Sequence, residues 1–162
     1  DVLILTWTVN YWDYLGDPDP MAMPAAKDRQ MAYTDRLSLR APYTPQSFYD
    51  GAKECPGTKK RQIRRNIEKR LDLRAEITPE LVWDGETLQV SGESEDALEL
   101  IKVEYLLGEA NYTDMVNPVT NVTSLGLLVE PDQIFEIDCA STCAVLLQEQ
   151  DSGEVVSAEA LH

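Results

Sequence analysis

The chain has 162 residues, 43% of them apolar, and a formal charge of −15 at neutral pH. That length fits one large domain or two small ones with a real core, and the composition excludes a disordered polymer. No apolar run approaches the ~20 residues a membrane-spanning helix needs, so a spanning helix is excluded as well.

The first element expected is a buried strand from Val2 to about Val9, because "VLILTWTV" is continuous, apolar and rich in β-branched residues. The chain starts at Asp1 with no initiator Met and no polar lead-in, so residues N-terminal to it are expected to have been removed or to lie on another chain. An aromatic turn follows, ending at Gly16, and then the Pro-punctuated loop "DPDPMAMP". Residues 24–37 read as a helix, with Pro24 tolerated in its first turn. A second Pro-rich loop leads into "QSFYDG", a short strand closed by Asp50-Gly51, with "AKECPG" as its antiparallel partner. Next comes the helix "TKKRQIRRNIEKRLDL", N-capped by Thr58. Its Ile63, Ile67 and Leu71 fall at i, i+4, i+8, so they are expected to form the face that packs on the sheet.

After Arg74 the pattern changes to period two with turn punctuation. "ELVWDGETLQVSG" predicts a hairpin about Asp84-Gly85, "ELIKVEYLLG" and "VTSLGLLV" predict strands, and "QIFEIDCASTCAVLLQEQ" predicts a hairpin about residues 140–142. "GEVVSAEAL" closes the chain as a last strand. Six or seven short antiparallel strands make a small β-sandwich. The expected order is therefore β-α-β-β-α followed by an all-β unit, with a boundary near Arg74 dividing residues 1–74 from 75–162.

Charge divides the chain at the same place. Residues 1–74 carry 13 Lys and Arg against 10 acids, whereas residues 75–162 carry Lys102 alone against 19 acids. Such an acidic second half would be repelled by phosphates, so nucleic acid is not an expected partner. The basic helix reads as a surface helix, with a membrane-surface or acidic-partner contact as the other reading.

The motifs that carry chemistry are few. His162 is the sole histidine and is terminal, which leaves no histidine for a zinc site or a Ser-His-Asp triad. No Gly-rich phosphate loop is present, and neither a cofactor nor a metal is expected. Of the three cysteines, Cys139 and Cys143 flank a three-residue turn. Across a hairpin their Cα atoms would stand roughly 5.5 Å apart, which suits a structural disulfide; free thiols or a redox-active pair are the other readings. Cys55 is either a buried small hydrophobe or the partner of a cysteine outside residues 1–162. Pro45, one residue before a strand, is a position where a cis Thr-Pro bond is expected.

Three stretches carry a family resemblance. "TVNYWDYLG", "DRQMAY" and "YTPQSFYDG" resemble the signature segments of a bacterial, typically secreted, thioredoxin-like family, domain of unknown function 1223. The likeness continues more weakly into "VNPVTNVTSL" and "AVLLQEQDSGEVVSAEAL". It implies the C-terminal half of a thioredoxin fold, lacking the first strand and helix. It also implies a periplasmic or secreted protein and a polypeptide thiol or disulfide as substrate. The family's Cys-x-x-Cys is absent from this chain, Thr8 and Asn10 stand where the family favours His and Asp, and "GEANYTDMVN" departs from its Gly-Glu-Asn-type stretch.

By the same resemblance Thr44 and Pro45 form the loop that pairs with an incoming polypeptide backbone. Tyr11 and Trp12, with Trp7 and Tyr14, either line a groove beside it or pack in the core. Asp13 either tunes a thiol or caps a loop. Two functions follow as expectations. One is a thiol–disulfide oxidoreductase whose cysteine pair lies outside this chain. The other is a redox-inert binding or accessory subunit of a larger assembly. Either needs the absent segment, or a partner chain, to complete the sheet.

Overall fold

The structure, a computed structural model, describes residues 2–74, 79–140, 142–150 and 153–161. It combines helices with antiparallel sheets. Helix α1 spans Pro24–Arg36, with Pro24 at a position where a missing N–H costs nothing. Strands β1 (Gln46–Tyr49) and β2 (Lys53–Pro56) form a two-stranded antiparallel hairpin, and α2 runs from Lys60 to Arg74. Asp50 and Gly51 make the hairpin turn at φ 52° and 68°, the left-handed pair that matches strand twist. Gly51 is also demanded by space, since a Cβ there would lie 2.6 Å from the Tyr33 ring and 2.8 Å from the Gly153 carbonyl. Each face of the hairpin has a helix on it. Phe48 meets Tyr33 of α1, with ring centroids 5.0 Å apart, and α2 packs on both strands from the other side.

Seven further strands lie among the described residues: β3 (Glu80–Trp83), β4 (Thr87–Ser91), β5 (Leu98–Tyr105), β6 (Val119–Leu127), β7 (Asp132–Glu136), β8 (Cys143–Glu149) and β9 (Val155–Leu161). They form a three-stranded sheet, β3-β4-β7, and a four-stranded sheet, β6-β5-β8-β9, every pairing antiparallel. Leu81, Leu88 and Val90 of the first sheet meet Leu98, Leu100, Val145 and Leu147 of the second in one apolar core. The opposite face of the larger sheet is covered too. Ile101, Val103, Leu146 and Val155 pack under Leu3, Leu5, Trp7 and Met23. Burial from both sides explains why β8 reads as an unbroken apolar run, Cys143 to Leu147.

Three expectations are corrected. The segment from Val2 to Val9 is extended but belongs to no sheet ladder. Its odd residues, Leu3, Leu5 and Trp7, point into the core, while Val2 and Ile4 remain about half exposed. Among the described residues its one strand-like contact is a parallel bridge from Thr6 to Pro118, closed by bonds between Thr6 and the backbone of Asn117 and Val119. It was expected to be a buried strand because its sequence is apolar at every position, but apolar cover reaches only one of its faces. The 133–150 region, secondly, is not a hairpin. β7 pairs with β4 whereas β8 pairs with β5 and β9, so the intervening residues cross from one sheet to the other. Lastly, α2 does not bury the Ile63–Ile67–Leu71 stripe. Its most buried residue is Asn66, at 1% exposure, while Leu71 is 44% exposed. A two-stranded sheet is too narrow to cover the whole apolar side of a four-turn helix.

The expected boundary after Arg74 runs into residues 75–78, outside the described residues. The two portions nevertheless touch closely. Arg36 binds Glu149 at 2.8 Å, Arg70 binds both Asp50 (2.9 Å) and Glu154, and the Val155 N–H donates to the Asp50 carbonyl at 2.8 Å.

Candidate functional site

The three signature stretches converge on one corner, built around Thr44 and Pro45. The Thr44–Pro45 peptide bond is cis. Gly57, just beyond β2, donates its N–H to the Pro45 carbonyl at 2.8 Å, which ties both ends of the hairpin together. From the first stretch, Trp12 donates its indole N–H to Thr44 Oγ1 at 2.9 Å, and the Tyr11 hydroxyl donates to Gln30 Oε1 at 2.9 Å. From the second, Gln30 on α1 donates its amide N–H groups to the Tyr43 carbonyl (2.9 Å) and to Gln46 Oε1 (2.8 Å). Gln46 then donates to Glu54 Oε2 at 2.9 Å, and the Tyr43 hydroxyl bonds to the same carboxylate.

Gln30 is the hub. It is 7% exposed, and both N–H groups and its carbonyl oxygen are engaged. A buried amide in that condition fixes three chain segments at once, because losing any partner would strand a desolvated polar group. Burial, and then the Glu54 carboxylate beside it, pushes the Tyr43 phenol well above the ordinary tyrosine range, so it stays a hydrogen-bond donor. Gln30 and Gln46 lie inside the quoted signature stretches but offer no charge or nucleophile to draw notice. Tyr43 and Glu54 carry no such signal either. Glu54 sits in a four-residue strand where nothing in the sequence marks an acid facing inward.

Of the residues singled out from sequence, Tyr11, Trp12, Thr44 and Pro45 are therefore brought together. Asp13 opens a short 3-10 turn, Asp13–Leu15, and is half-buried; among the described hydrogen bonds and ion pairs none joins it to the corner. Tyr11, Trp12 and Tyr14 form a ladder of rings, with centroids 5.3 and 6.4 Å apart. Trp12 (45%), Tyr14 (75%) and Leu15 (68%) face solvent there. Trp7 instead belongs to the core side, with the Arg29 guanidinium 5.0 Å from its ring and 5.0 Å from that of Tyr33. Burial lowers the pKa of Arg29 from the ordinary arginine value; the group donates to Gln148 Oε1 at 2.7 Å and pins α1 to β8.

The Cys139–Cys143 pair lies on the sandwich, whereas Cys55 follows Glu54 on β2 and pairs with Ser47, buried beneath the corner. Cys139 and Cys143 form a disulfide across the crossover between the two sheets, with Cα atoms 5.9 Å apart. Cys55 is a free thiol with no exposure, its sulfur 3.1 Å from the Tyr49 hydroxyl. Neither sulfur site reaches the Thr44–Pro45 surface as an exposed nucleophile. Among the described residues, no group of three or more His, Cys, Asp and Glu side chains is arranged to hold a metal ion. No helix among them is long and apolar enough to cross a membrane.

Comparison with known proteins places the chain in a family. The model of the family described as "Protein of unknown function (DUF1223)" matches residues 1–99, and the chain belongs to that family. Among solved structures, a protein of Agrobacterium tumefaciens superposes with a TM-score of 0.76 at 21% identity, over 97% of this chain and 78% of that one. At that identity the likeness speaks for the fold. No curated protein matches.

Proposed function

We propose that this chain is the substrate-facing part of a thioredoxin-like thiol–disulfide oxidoreductase that works in the periplasm or outside the cell. The observation that carries the reading is the convergence of Tyr11, Trp12, Gln30 and Gln46 on Thr44 and Pro45, from three segments separated in sequence. A hydrogen-bonded corner with exposed rings beside a strand that pairs with β2 alone among the described strands can receive an extended polypeptide through backbone hydrogen bonds. Thr44 and Pro45 would contact the backbone of the incoming chain, and Tyr11 and Trp12 would wall the groove.

The reacting thiol pair is supplied by residues outside 1–162, since the three cysteines here are a disulfide at a sheet crossover and a buried thiol. Exchange needs an accessible thiolate and a resolving partner. The same outside residues complete the sheet, since β1 pairs only with β2 among the described strands. The Cys139–Cys143 bond accords with an oxidising compartment.

The test uses the natural full-length protein. Alkylation and mass mapping, with and without reductant, should reveal two reactive cysteines beyond Cys55, Cys139 and Cys143. Reduction of a peptide disulfide should then be catalysed, and should slow about tenfold in Trp12→Ala through lost positioning. If the natural protein has no further cysteine pair, or catalyses no exchange, the oxidoreductase reading fails and the corner serves a redox-inert binding module.

A further inference from the structure

From Met115 to Val129 the chain carries no charged residue, although 27% of its residues are charged. That stretch holds β6, the nine-residue strand at one edge of the four-stranded sheet. An edge strand presents a row of backbone N–H and C=O groups to which another strand can pair. Edges are therefore ordinarily blunted by charge, proline, shortness or a cover. The other described edges are blunted in these ways. β1 is four residues long, and β2 carries Lys53, Glu54 and Pro56. β3 and β7 are short, with Glu80 on one and Asp132 and Glu136 on the other. β9 carries Glu159 and packs against β3.

β6 has none of these protections beyond its first residue, where the Val119 N–H donates to the Thr6 carbonyl at 2.9 Å. Thr120, Asn121, Thr123 and Ser124 are exposed, and among the described strands β6 pairs with β5 alone. The charges on that paired strand are Glu99, Lys102 and Glu104, and each is engaged. Asn121 Nδ2 donates to Glu104 Oε2 at 2.7 Å, and Ser124 Oγ donates to Glu99 Oε1. Lys102 lies opposite Thr123 but turns to the Asp138 carbonyl at 2.7 Å and to Glu104 at 3.7 Å.

We propose that β6 is the seam of a symmetric pair of chains, in which Asn121–Ser124 runs antiparallel to the same residues of a second copy. Charge selects that occupant. A chain of net charge −15 repels its own copies wherever acids meet, and along β6 no acid stands. A strand edge is also self-complementary about a two-fold axis, because each copy offers the other the same alternation of donors and acceptors. Asn, Val, Thr and Ser side chains would meet across the seam, and such pairs hydrogen-bond or pack without charge. The register sets the length of the contact. β6 is irregular against β5 on either side of Asn121–Ser124, so four residues make up the regular run. Bulges twist the ends of an edge away from a neighbour, and a two-fold contact consumes the edge of both copies, so growth stops at a dimer. A contact this short makes a weak dimer. The pairing does not depend on the proposed thiol chemistry, because it uses neither the Thr44–Pro45 corner nor cysteines outside this chain.

Sedimentation equilibrium of the natural full-length protein, over roughly 1–300 µM, should show monomer passing to dimer with a Kd on the order of 10–100 µM. Amide hydrogen exchange over the same range should slow at residues 121–124 and stay constant in β1, β2 and β7. Thr123→Lys sets like charges against each other at the seam and should raise Kd at least about tenfold, whereas Thr123→Ser should hold it within about twofold. Gln89→Lys, exposed on the three-stranded sheet, adds the same charge away from the edge and should leave Kd unchanged. Circular dichroism of dilute samples checks that the variants fold; if Thr123→Lys does not, the exchange pattern of the unaltered chain decides. A monomer at every concentration, slowed exchange at another edge in place of β6, or equal weakening by Thr123→Lys and Gln89→Lys would overturn the proposal. Association untouched by Thr123→Lys would overturn it as well.

Discussion

The two portions of the molecule are held together by different means. The sandwich closes around apolar side chains presented in register: Leu88, Leu100, Val145 and Leu147 all show no exposure, and no polar group is needed to place them. The hairpin portion has only two short strands, too few to be stable by pairing alone. It docks on the larger sheet through Leu3, Leu5, Trp7 and Met23, and its corner is positioned by named polar contacts, with Gln30 at the hub and Arg29, Arg36 and Arg70 reaching across to Gln148, Glu149 and Glu154. Apolar burial gives stability without precision about individual atoms, whereas a satisfied amide network fixes a surface that must match a partner.

The sharpest way to break that contrast is to damage each portion at its centre. Leu147→Ala removes a fully buried side chain from the layer between the sheets and should lower stability by about 2–5 kcal/mol, read from urea unfolding. Gln30→Leu should cost less, about 1–3 kcal/mol, because it leaves the Tyr11 hydroxyl, the Tyr43 carbonyl and Gln46 without their partner while adding no cavity. The two variants should also differ in kind. Leu147→Ala leaves the native corner intact in the molecules that remain folded. Gln30→Leu should loosen it and raise amide hydrogen exchange at Tyr43 to Gln46 even where the protein is fully native. Identical local exchange in the two variants would remove the distinction drawn here.

The same contrast explains what was legible in the sequence. Period-two patterning located the sandwich strands, since each side chain's face is set by the pleat. It misjudged Ile134 to Glu149 because adjacent strands joined by a short turn look like a hairpin whether or not they pair. Partners are chosen by the whole sheet, and here β7 and β8 lie in different sheets, with Cys139 and Cys143 bonded between them. The apolar run of residues 2–9 suggests a sheet strand because it gives composition without naming its neighbours. The corner was found only through its Pro and aromatic residues. Its hub, Gln30, was invisible because a polar residue on a helix is usually solvated, and only the fold shows that this one is enclosed.

A smaller effect separates the portions by pH. Within the sandwich, the Glu104 carboxylate accepts from Asn121 Nδ2 at 2.7 Å and from the Ala140 N–H at 3.2 Å, with Lys102 Nζ at 3.7 Å. The Asn121 bond first, against the opposing effect of burial, holds its pKa below the ordinary glutamate value. A carboxyl whose folded pKa is depressed contributes stability that is fully present above its unfolded value. That contribution is lost as pH falls through the ordinary carboxylate range toward the lowered folded value. Asn121→Ala should therefore lower stability at neutral pH, where the bond contributes, leave the acid end nearly unchanged, and so flatten the stability–pH curve between about pH 5 and pH 3. An unchanged acid slope would show that the Glu104 contacts do not persist in solution.

The smallest expected change in stability is at the corner itself. Thr44→Val keeps the β-branched shape and deletes the hydroxyl that accepts the Trp12 indole N–H. The bond is solvent-exposed, and water can replace the lost acceptor, so unfolding free energy should move by no more than about 0.5–1 kcal/mol. The aromatic turn, however, is fastened to Thr44 through that bond and to α1 through Tyr11, so losing one of two anchors should widen the range of positions Trp12 visits. Peptide affinity should accordingly fall by more than stability does, several-fold, and Thr44→Ser should restore it because the hydroxyl returns. If Thr44→Val and Thr44→Ser bind peptide alike, the Trp12–Thr44 bond does not organise the corner, and the polar precision ascribed to this half of the molecule must come from Gln30 alone.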